Sequence, residues 1–286
     1  MRSSNPVFSS LTTDNRSGQQ GQAYPGADYQ GYGRPIAGNQ YAQQHGMGMG
    51  APAATGDEAR PMTVDDVITK TGITLGVIVA GAVITMALCL TKPGLGLMLT
   101  GVGAIGGLIT VLVATFGKKY GSKMVTLIYA AFEGLFVGGI SFVFTSTRIG
   151  GAPAFDMIIQ AVIGTLGVFA GMLYAYKTGA IKVTDKTRRI ITGGIIGVLV
   201  LAVGNMLLFM FTGHNPLTNG GPLAIVFSLV CIGLAAMSFL TDFDAADTLI
   251  RRGAPANYAW GVALGLAVTL VWLYTEILRL LSYFRN

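Results

Sequence analysis

The stretch GVALGLAVTLVWLYTEILRLLSYF, residues 261–284, gives the clearest indication of how this chain folds. It is long and mostly apolar, and about 20 such residues in a helix cross the ~30 Å hydrocarbon core of a bilayer. Its only charged side chains, Glu276 and Arg279, are three residues apart and can pair on one helix face. We predict a membrane-spanning helix that carries an internal ion pair.

Further apolar runs precede this stretch, and the sequence predicts an all-α membrane protein, a bundle of seven transmembrane helices. The connections are too short to hold a soluble domain, so any activity belongs to the bundle or to the N-terminal tail. The predicted spans are 72–91, 95–117, 124–146, 154–176, 190–212, 222–243 and 257–283.

The composition supports this assignment. Hydrophobic residues make up 52% of the 286 residues and charged residues 11%, whereas soluble domains carry about 25% charged residues. An ordinary soluble enzyme and a wholly disordered chain are both excluded. The net charge of +6 is concentrated in short segments between apolar runs, which indicates membrane topology and no nucleic-acid partner.

The N-terminal part has a different composition. Residues 1–66 are rich in Gly, Gln and Tyr and lack apolar periodicity, so we predict a disordered cytoplasmic tail before a transmembrane domain at 67–286. The opening MRSSNPVFSS lacks the apolar core of a signal peptide, and the first apolar run should therefore remain as a span.

The orientation follows from lysine and arginine in short loops, which favour the cytoplasmic side. Eleven such residues fall on the side of the N-terminus and three on the other, so we expect a multi-pass protein of the cell membrane with its N-terminus inside and its C-terminus outside. The eleven are Lys70, Lys118, Lys119, Lys123, Lys177, Lys182, Lys186, Arg188, Arg189, Arg251 and Arg252, and the three are Lys92, Arg148 and Arg285.

Pairs of glycines four residues apart recur in the spans. Such pairs let neighbouring helix backbones approach closely, and together they predict a tightly packed bundle. They are Gly103/Gly107, Gly134/Gly138, Gly167/Gly171, Gly193/Gly197 and Gly261/Gly265.

Acidic side chains inside the predicted spans are candidates for ion or proton handling, because an ionisable group in hydrocarbon is costly. Glu133 lies near the middle of the third span with no cation within a turn. It must face the interior, pair with another helix or carry a proton. Its alternative role is a structural hydrogen bond between helices.

Three aspartates cluster where the sixth span ends, in SFLTDFDAADTLIRRG. Asp242 and Asp244 lie deepest and could attract a cation. Asp247 lies four residues before Arg251, so a solvated, neutralised helix end explains it. In the seventh span, Thr269 shares a face with Glu276, which is typical of a helix in the interior of a bundle.

Catalytic motifs are missing from the spans. The two histidines, His45 and His214, lie in the tail and in a loop, and no serine-hydrolase, phosphate-binding or dinucleotide-binding motif is present. We expect no enzymatic activity, no cofactor and no firm metal site.

Three segments resemble the Bax inhibitor family, and the tail resembles its actinobacterial branch. They are YAAFEGLFVGG in the third span, the acidic segment with Phe-Asp that ends the sixth, and LYTEILRLL in the seventh. The resemblance covers about residues 70–286. It implies a seven-helix fold with a central C-terminal helix.

Some members of that family are pH-sensitive calcium leak channels, in which two aspartates of the sixth and seventh spans share a proton. The resemblance places the first aspartate at Asp244, and at the second position this chain has Thr269, which cannot titrate. Glu133 could take the part of the second carboxylate, whereas Glu276 lies two turns away.

Two functions follow as expectations. The first is a cation leak, for Ca²⁺ or H⁺, that uses Asp244 and Glu133. The alternative is a non-conducting membrane protein that modulates a membrane protease or a stress response, as the resemblance implies for other members.

Overall fold

The computed structural model describes residues 60–117, 119–146 and 154–285, so most of the predicted tail, Lys118 and Arg148 lie outside the described residues. Within these ranges, seven helices are long and apolar enough to cross a membrane, which confirms the predicted fold class. The helices are α1 (Val64–Thr91), α2 (Pro93–Phe116), α3 (Lys123–Ser146), α4 (Ala154–Lys177), α5 (Asp185–Thr212), α6 (Pro222–Arg251) and α7 (Tyr258–Arg285).

Local sequence signals set several helix ends. Thr63 caps α1 in a capping box with Asp66, and prolines at the first positions of α2 and α6 need no backbone donor there. Gly213 closes α5 in the left-handed conformation, with φ of 71°. The Thr63 cap starts α1 well before the predicted span at residue 72. Helix α6 continues past the predicted end at residue 243 to Arg251.

The C-terminal helix is the centre of the bundle, as the resemblance implied. In the most apolar window of α7, 78% of the residues are buried, whereas no residue of the corresponding window of α5 is. Helices α1, α3, α4 and α6 pack around α7. Helix α2 packs on α1 and α3, and α5 packs chiefly on α6.

Close helix crossings depend on two of the predicted glycine pairs. An added Cβ at Gly134 on α3 would lie 2.8 Å from the Ile78 carbonyl oxygen and 2.9 Å from Gly81 Cα on α1. An added Cβ at Gly103 on α2 would lie 2.6 Å from the Phe132 carbonyl oxygen on α3. Only a residue without a side chain allows backbones this close.

Other glycine pairs do not serve the packing within the chain. A Cβ at Gly167 or Gly171 on α4, or at Gly193 or Gly197 on α5, would meet no atom within 4 Å. Gly261 and Gly265 are buried on the central helix. The small-residue pattern therefore predicts tight packing correctly for α2 and α3 but not for α4 and α5.

The N-terminal segment folds against the end of the bundle where α6 turns into α7. Met62 donates its backbone N–H to the Ala254 carbonyl at 2.7 Å, and Ala256 donates to the Arg60 carbonyl at 2.9 Å. Arg60 also makes two hydrogen bonds, of 2.6 and 2.7 Å, to the carboxylate of Asp66. We call residues 60–63 the strap. The strap lies ahead of residue 67, where the sequence predicts the start of the transmembrane domain.

Candidate functional site

A buried aspartate on α6 faces the central helix. Asp242 is 0% exposed, and the Thr269 hydroxyl on α7 donates a hydrogen bond of 2.7 Å to its Oδ2 atom. Thr269 is itself only 4% exposed. The two residues predicted as separate candidates therefore form one site between α6 and α7.

Buried aromatic residues flank Asp242 along α6. Phe239 and Phe243, on either side of Asp242 in the sequence, stack with ring centroids 6.0 Å apart, and Phe169 of α4 meets both edge-on. A carboxylate in such apolar surroundings is costly unless it is hydrogen-bonded, protonated or paired with a cation.

Asp244 faces a different helix. Two residues along a helix correspond to a rotation of about 200°, so Asp242 and Asp244 point to nearly opposite sides of α6. Asp244 forms an ion pair with Arg188 of α5, and Arg188 is only 7% exposed. The residue that lies beside Thr269 is therefore Asp242, and the aspartate that the resemblance placed opposite Thr269, Asp244, joins α5 to α6.

Two predicted local ion pairs are confirmed. The Arg251 side chain lies 2.9 Å from the Asp247 carboxylate, at the exposed end of α6. On α7, Arg279 lies 3.1 Å from the Glu276 carboxylate, and Glu276 is 5% exposed. Since each carboxylate already has a cationic partner, neither is a strong candidate for binding a mobile ion.

Glu133 lies apart from the other predicted site residues. Its carboxylate lies near the Tyr129 hydroxyl, one turn earlier on α3. It lines a cavity of about 350 Å³ between α2, α3 and α7, and none of the other predicted site residues belongs to that lining. The role of second carboxylate, which the sequence analysis allowed for Glu133, stays a prediction.

A buried lysine is a polar feature that the sequence analysis named only for the topology of the chain. Lys70 of α1 is 6% exposed and donates a hydrogen bond of 2.8 Å to the Ala256 carbonyl, and its Nζ atom lies 5.6 Å from the centre of the Trp260 ring. The sequence shows only a cation near the start of a span. The partners of Lys70 are far away along the chain, Ala256 in the α6–α7 connection and Trp260 at the start of α7.

The described residues contain no group of three or more His, Cys, Asp or Glu side chains that could hold a metal ion. Cys89 and Cys231 are free and buried. At the Asp242 site the fold brings a carboxylate and the Thr269 hydroxyl together. These two oxygen-bearing groups alone are fewer than the six to eight oxygen ligands that Ca²⁺ prefers.

Two comparisons relate the chain to known proteins. A family model described as Bax inhibitor 1 like matches residues 5–286. An uncharacterized protein of Chlamydia muridarum (strain MoPn / Nigg) is 31% identical over 131 residues, which cover 45% of this chain and 47% of the relative. The chain thus spans about half the length of that curated relative.

Proposed function

Because the chain belongs to the Bax inhibitor 1-like family, we propose that it is a pH-sensitive cation leak of the cell membrane, for Ca²⁺ or H⁺, with Asp242 as its ion-handling residue. The observation that carries the proposal is the fully buried Asp242 carboxylate, hydrogen-bonded to Thr269 of the central helix. An ionisable side chain kept at membrane depth is costly and is therefore expected to serve a function.

The depth of the pair fits a gate inside the bundle. Asp242 lies nine residues before the end of α6 at Arg251, about 13 Å along the helix axis. Thr269 lies eleven residues after the start of α7, so both residues are about equally deep in the same hairpin. An ion that enters at the α6–α7 end would meet the carboxylate only after it has passed the buried side chains around the strap.

The proposed pH response has a simple direction. An ionised Asp242 attracts a cation, whereas a protonated Asp242 is neutral and does not. Lower pH should therefore reduce the leak. Since Thr269 cannot titrate, one carboxylate rather than a proton-sharing pair would set this response, and the dependence on pH should follow a single protonation.

Calcium influx into liposomes that contain the purified protein tests the proposal. We expect influx above that of empty vesicles, greater at pH 8 than at pH 6, and abolished or made independent of pH by Asp242→Asn. This variant keeps the size of the side chain and can still bond to Thr269. Asp156→Asn, at an exposed position near the start of α4, is the matched control and should leave the influx unchanged.

The proposal fails if wild-type vesicles take up no more Ca²⁺ or H⁺ than empty ones. It also fails if Asp242→Asn has the wild-type influx and the wild-type dependence on pH. Glu276→Gln separates a specific effect from a general loss of buried charge, because Glu276 is also buried, at 5% exposed, and pairs with Arg279. This variant should keep the pH dependence.

A second candidate is a non-conducting protein that modulates a membrane protease. The observation in its favour is the peripheral helix α5, whose glycines Gly193 and Gly197 face no other part of the described chain. A partner helix could pack there. Co-purification of the wild type in mild detergent should then recover a membrane protease, and Gly197→Leu should lose it. The control variant Gly76→Leu, at an open position on α1, should still recover the protease.

A further inference from the structure

The cavity beside Glu133 combines a carboxylate with aromatic walls. Tyr129 and Phe136 of α3 and Trp272 of α7 contribute rings to its lining, and Glu133 contributes the acidic group. The remaining lining side chains are small or apolar, except for Thr275. Among the described residues, no ion pair involves Glu133.

The shape of the cavity depends on Gly107 of α2. An added Cβ at this position would lie 2.9 Å from the Glu133 Oε2 atom, too close for an ordinary contact. The glycine thus leaves room for the carboxylate to lie between α2 and α3. The sequence pattern identified Gly107 only as a packing residue.

The cavity lies at mid-membrane depth and reaches the outer surface of the bundle. Glu133 is ten residues from the start of α3 at Lys123 and thirteen from its end. Leu108, at the rim, is 61% exposed on the surface that the apolar helices present to lipid. A ligand could therefore enter from the hydrocarbon region of the bilayer and not only from water.

The chemistry of the lining discriminates between classes of cation. A metal ion such as Ca²⁺ requires six to eight oxygen ligands, and one carboxylate and one phenol do not supply them. An ammonium or pyridinium ion is attracted both to a carboxylate and to the faces of Trp and Tyr rings. Its apolar substituents would pack against Val111, Val268 and Val271.

We propose that this cavity is a binding site for lipophilic organic cations, which enter from the bilayer and place their charge between Glu133 and the rings of Tyr129 and Trp272. The site is separate from Asp242, so the proposal does not rest on the cation leak. It assigns to Glu133 the recognition of an organic cation and gives Gly107 the role of keeping the site open.

Fluorescence quenching by N-hexylpyridinium tests this proposal, because pyridinium ions quench tryptophan on contact. The chain has two tryptophans, and in a Trp260→Phe background Trp272 is the only reporter. In nanodiscs of zwitterionic lipid we expect quenching that saturates with added N-hexylpyridinium. In the same background, Glu133→Gln should raise the apparent dissociation constant of the saturable quenching by at least about tenfold. The linear quenching, which is due to partitioning of N-hexylpyridinium into lipid, should remain.

Two more variants complete the test. Glu276→Gln removes a carboxylate of α7 that does not line the cavity, and it should leave the saturable quenching unchanged. Gly107→Ala keeps all charges but crowds the carboxylate, and it should reduce binding. Far-UV circular dichroism and monodisperse elution would verify that each variant is folded.

Linear quenching alone in the Trp260→Phe protein overturns the proposal. Saturable quenching of equal affinity in the Trp260→Phe protein and in its Glu133→Gln variant overturns it as well, since the carboxylate would then contribute nothing to binding. Neither result bears on the calcium influx or on its dependence on Asp242, so this proposal and the leak can fail independently.

Discussion

The Thr269 hydroxyl lies 2.7 Å from the Asp242 carboxylate, and this hydrogen bond joins two side chains buried between α6 and the central helix α7. In leak channels of the family that the sequence resembles, a second aspartate is expected at the position of Thr269. The hydroxyl donates a hydrogen bond to one oxygen of the buried carboxylate and adds no second charge. Thr269 therefore adds no second titratable group to the site.

Removing this hydroxyl should destabilise the protein. Thr269→Val keeps the shape of the side chain but takes a donor away from a buried carboxylate, which costs about 1–3 kcal/mol. Thermal unfolding in detergent should show a lower midpoint than for Thr269→Ser, which retains the donor. Equal midpoints for the two variants would contradict the importance of this hydrogen bond.

The ion pair between Arg188 and Asp244 should fix α5 to the bundle. Since Arg188 is 7% exposed and α5 packs chiefly on α6, few other contacts compensate for its loss. We expect a coupling free energy of about 1–3 kcal/mol between the two residues. Unfolding of Arg188→Gln, Asp244→Asn and the double variant would measure it.

Arg189→Gln is the matched control for that cycle, because Arg189 is the next residue on α5 and is exposed. It should change stability by less than about 0.5 kcal/mol. If the Arg188 and Asp244 substitutions are additive, the ion pair does not hold α5 in place.

Glycines at close helix crossings and glycines at open positions should respond differently to replacement by alanine. Gly134→Ala would force a Cβ to within 2.8 Å of the Ile78 carbonyl oxygen, and such overpacking costs about 1–3 kcal/mol. Gly167→Ala meets no atom within 4 Å and replaces a poor helix former, so it should be neutral or stabilising by up to about 1 kcal/mol. Thermal melts in the same detergent compare them. Equal destabilisation would contradict the close crossing of α1 and α3.

The proposed orientation predicts which loops face the outside of the cell. Lys182 lies between α4 and α5, on the basic side, and Asn219 lies between α5 and α6, on the opposite side. In intact cells, a membrane-impermeant maleimide should label Asn219→Cys but not Lys182→Cys, which should react only after permeabilisation. The wild type is the background control, since Cys89 and Cys231 are both 0% exposed. The reverse pattern would place the N-terminus outside.

Local spacing made part of the site predictable. Asp247 with Arg251 and Glu276 with Arg279 are one helical turn apart, so any helix through them brings the side chains together. The partners of Asp242, Asp244 and Lys70 could not be found in this way. Thr269 is 27 residues from Asp242, Arg188 is 56 residues from Asp244, and Ala256 is 186 residues from Lys70.

The sequence by itself determined that the described part of the chain has seven helices long and apolar enough to cross a membrane, because the length and hydropathy of each run are local properties. It also gave the resemblance to the family and identified the acidic residues in the spans. Only the tertiary structure decided that Asp242, and not Asp244, faces Thr269 and that Glu133 lines a separate cavity. The physical reason is that a side chain's direction depends on how its helix is rotated against its neighbours. Contacts among the seven helices set that rotation, and no short stretch of residues encodes it.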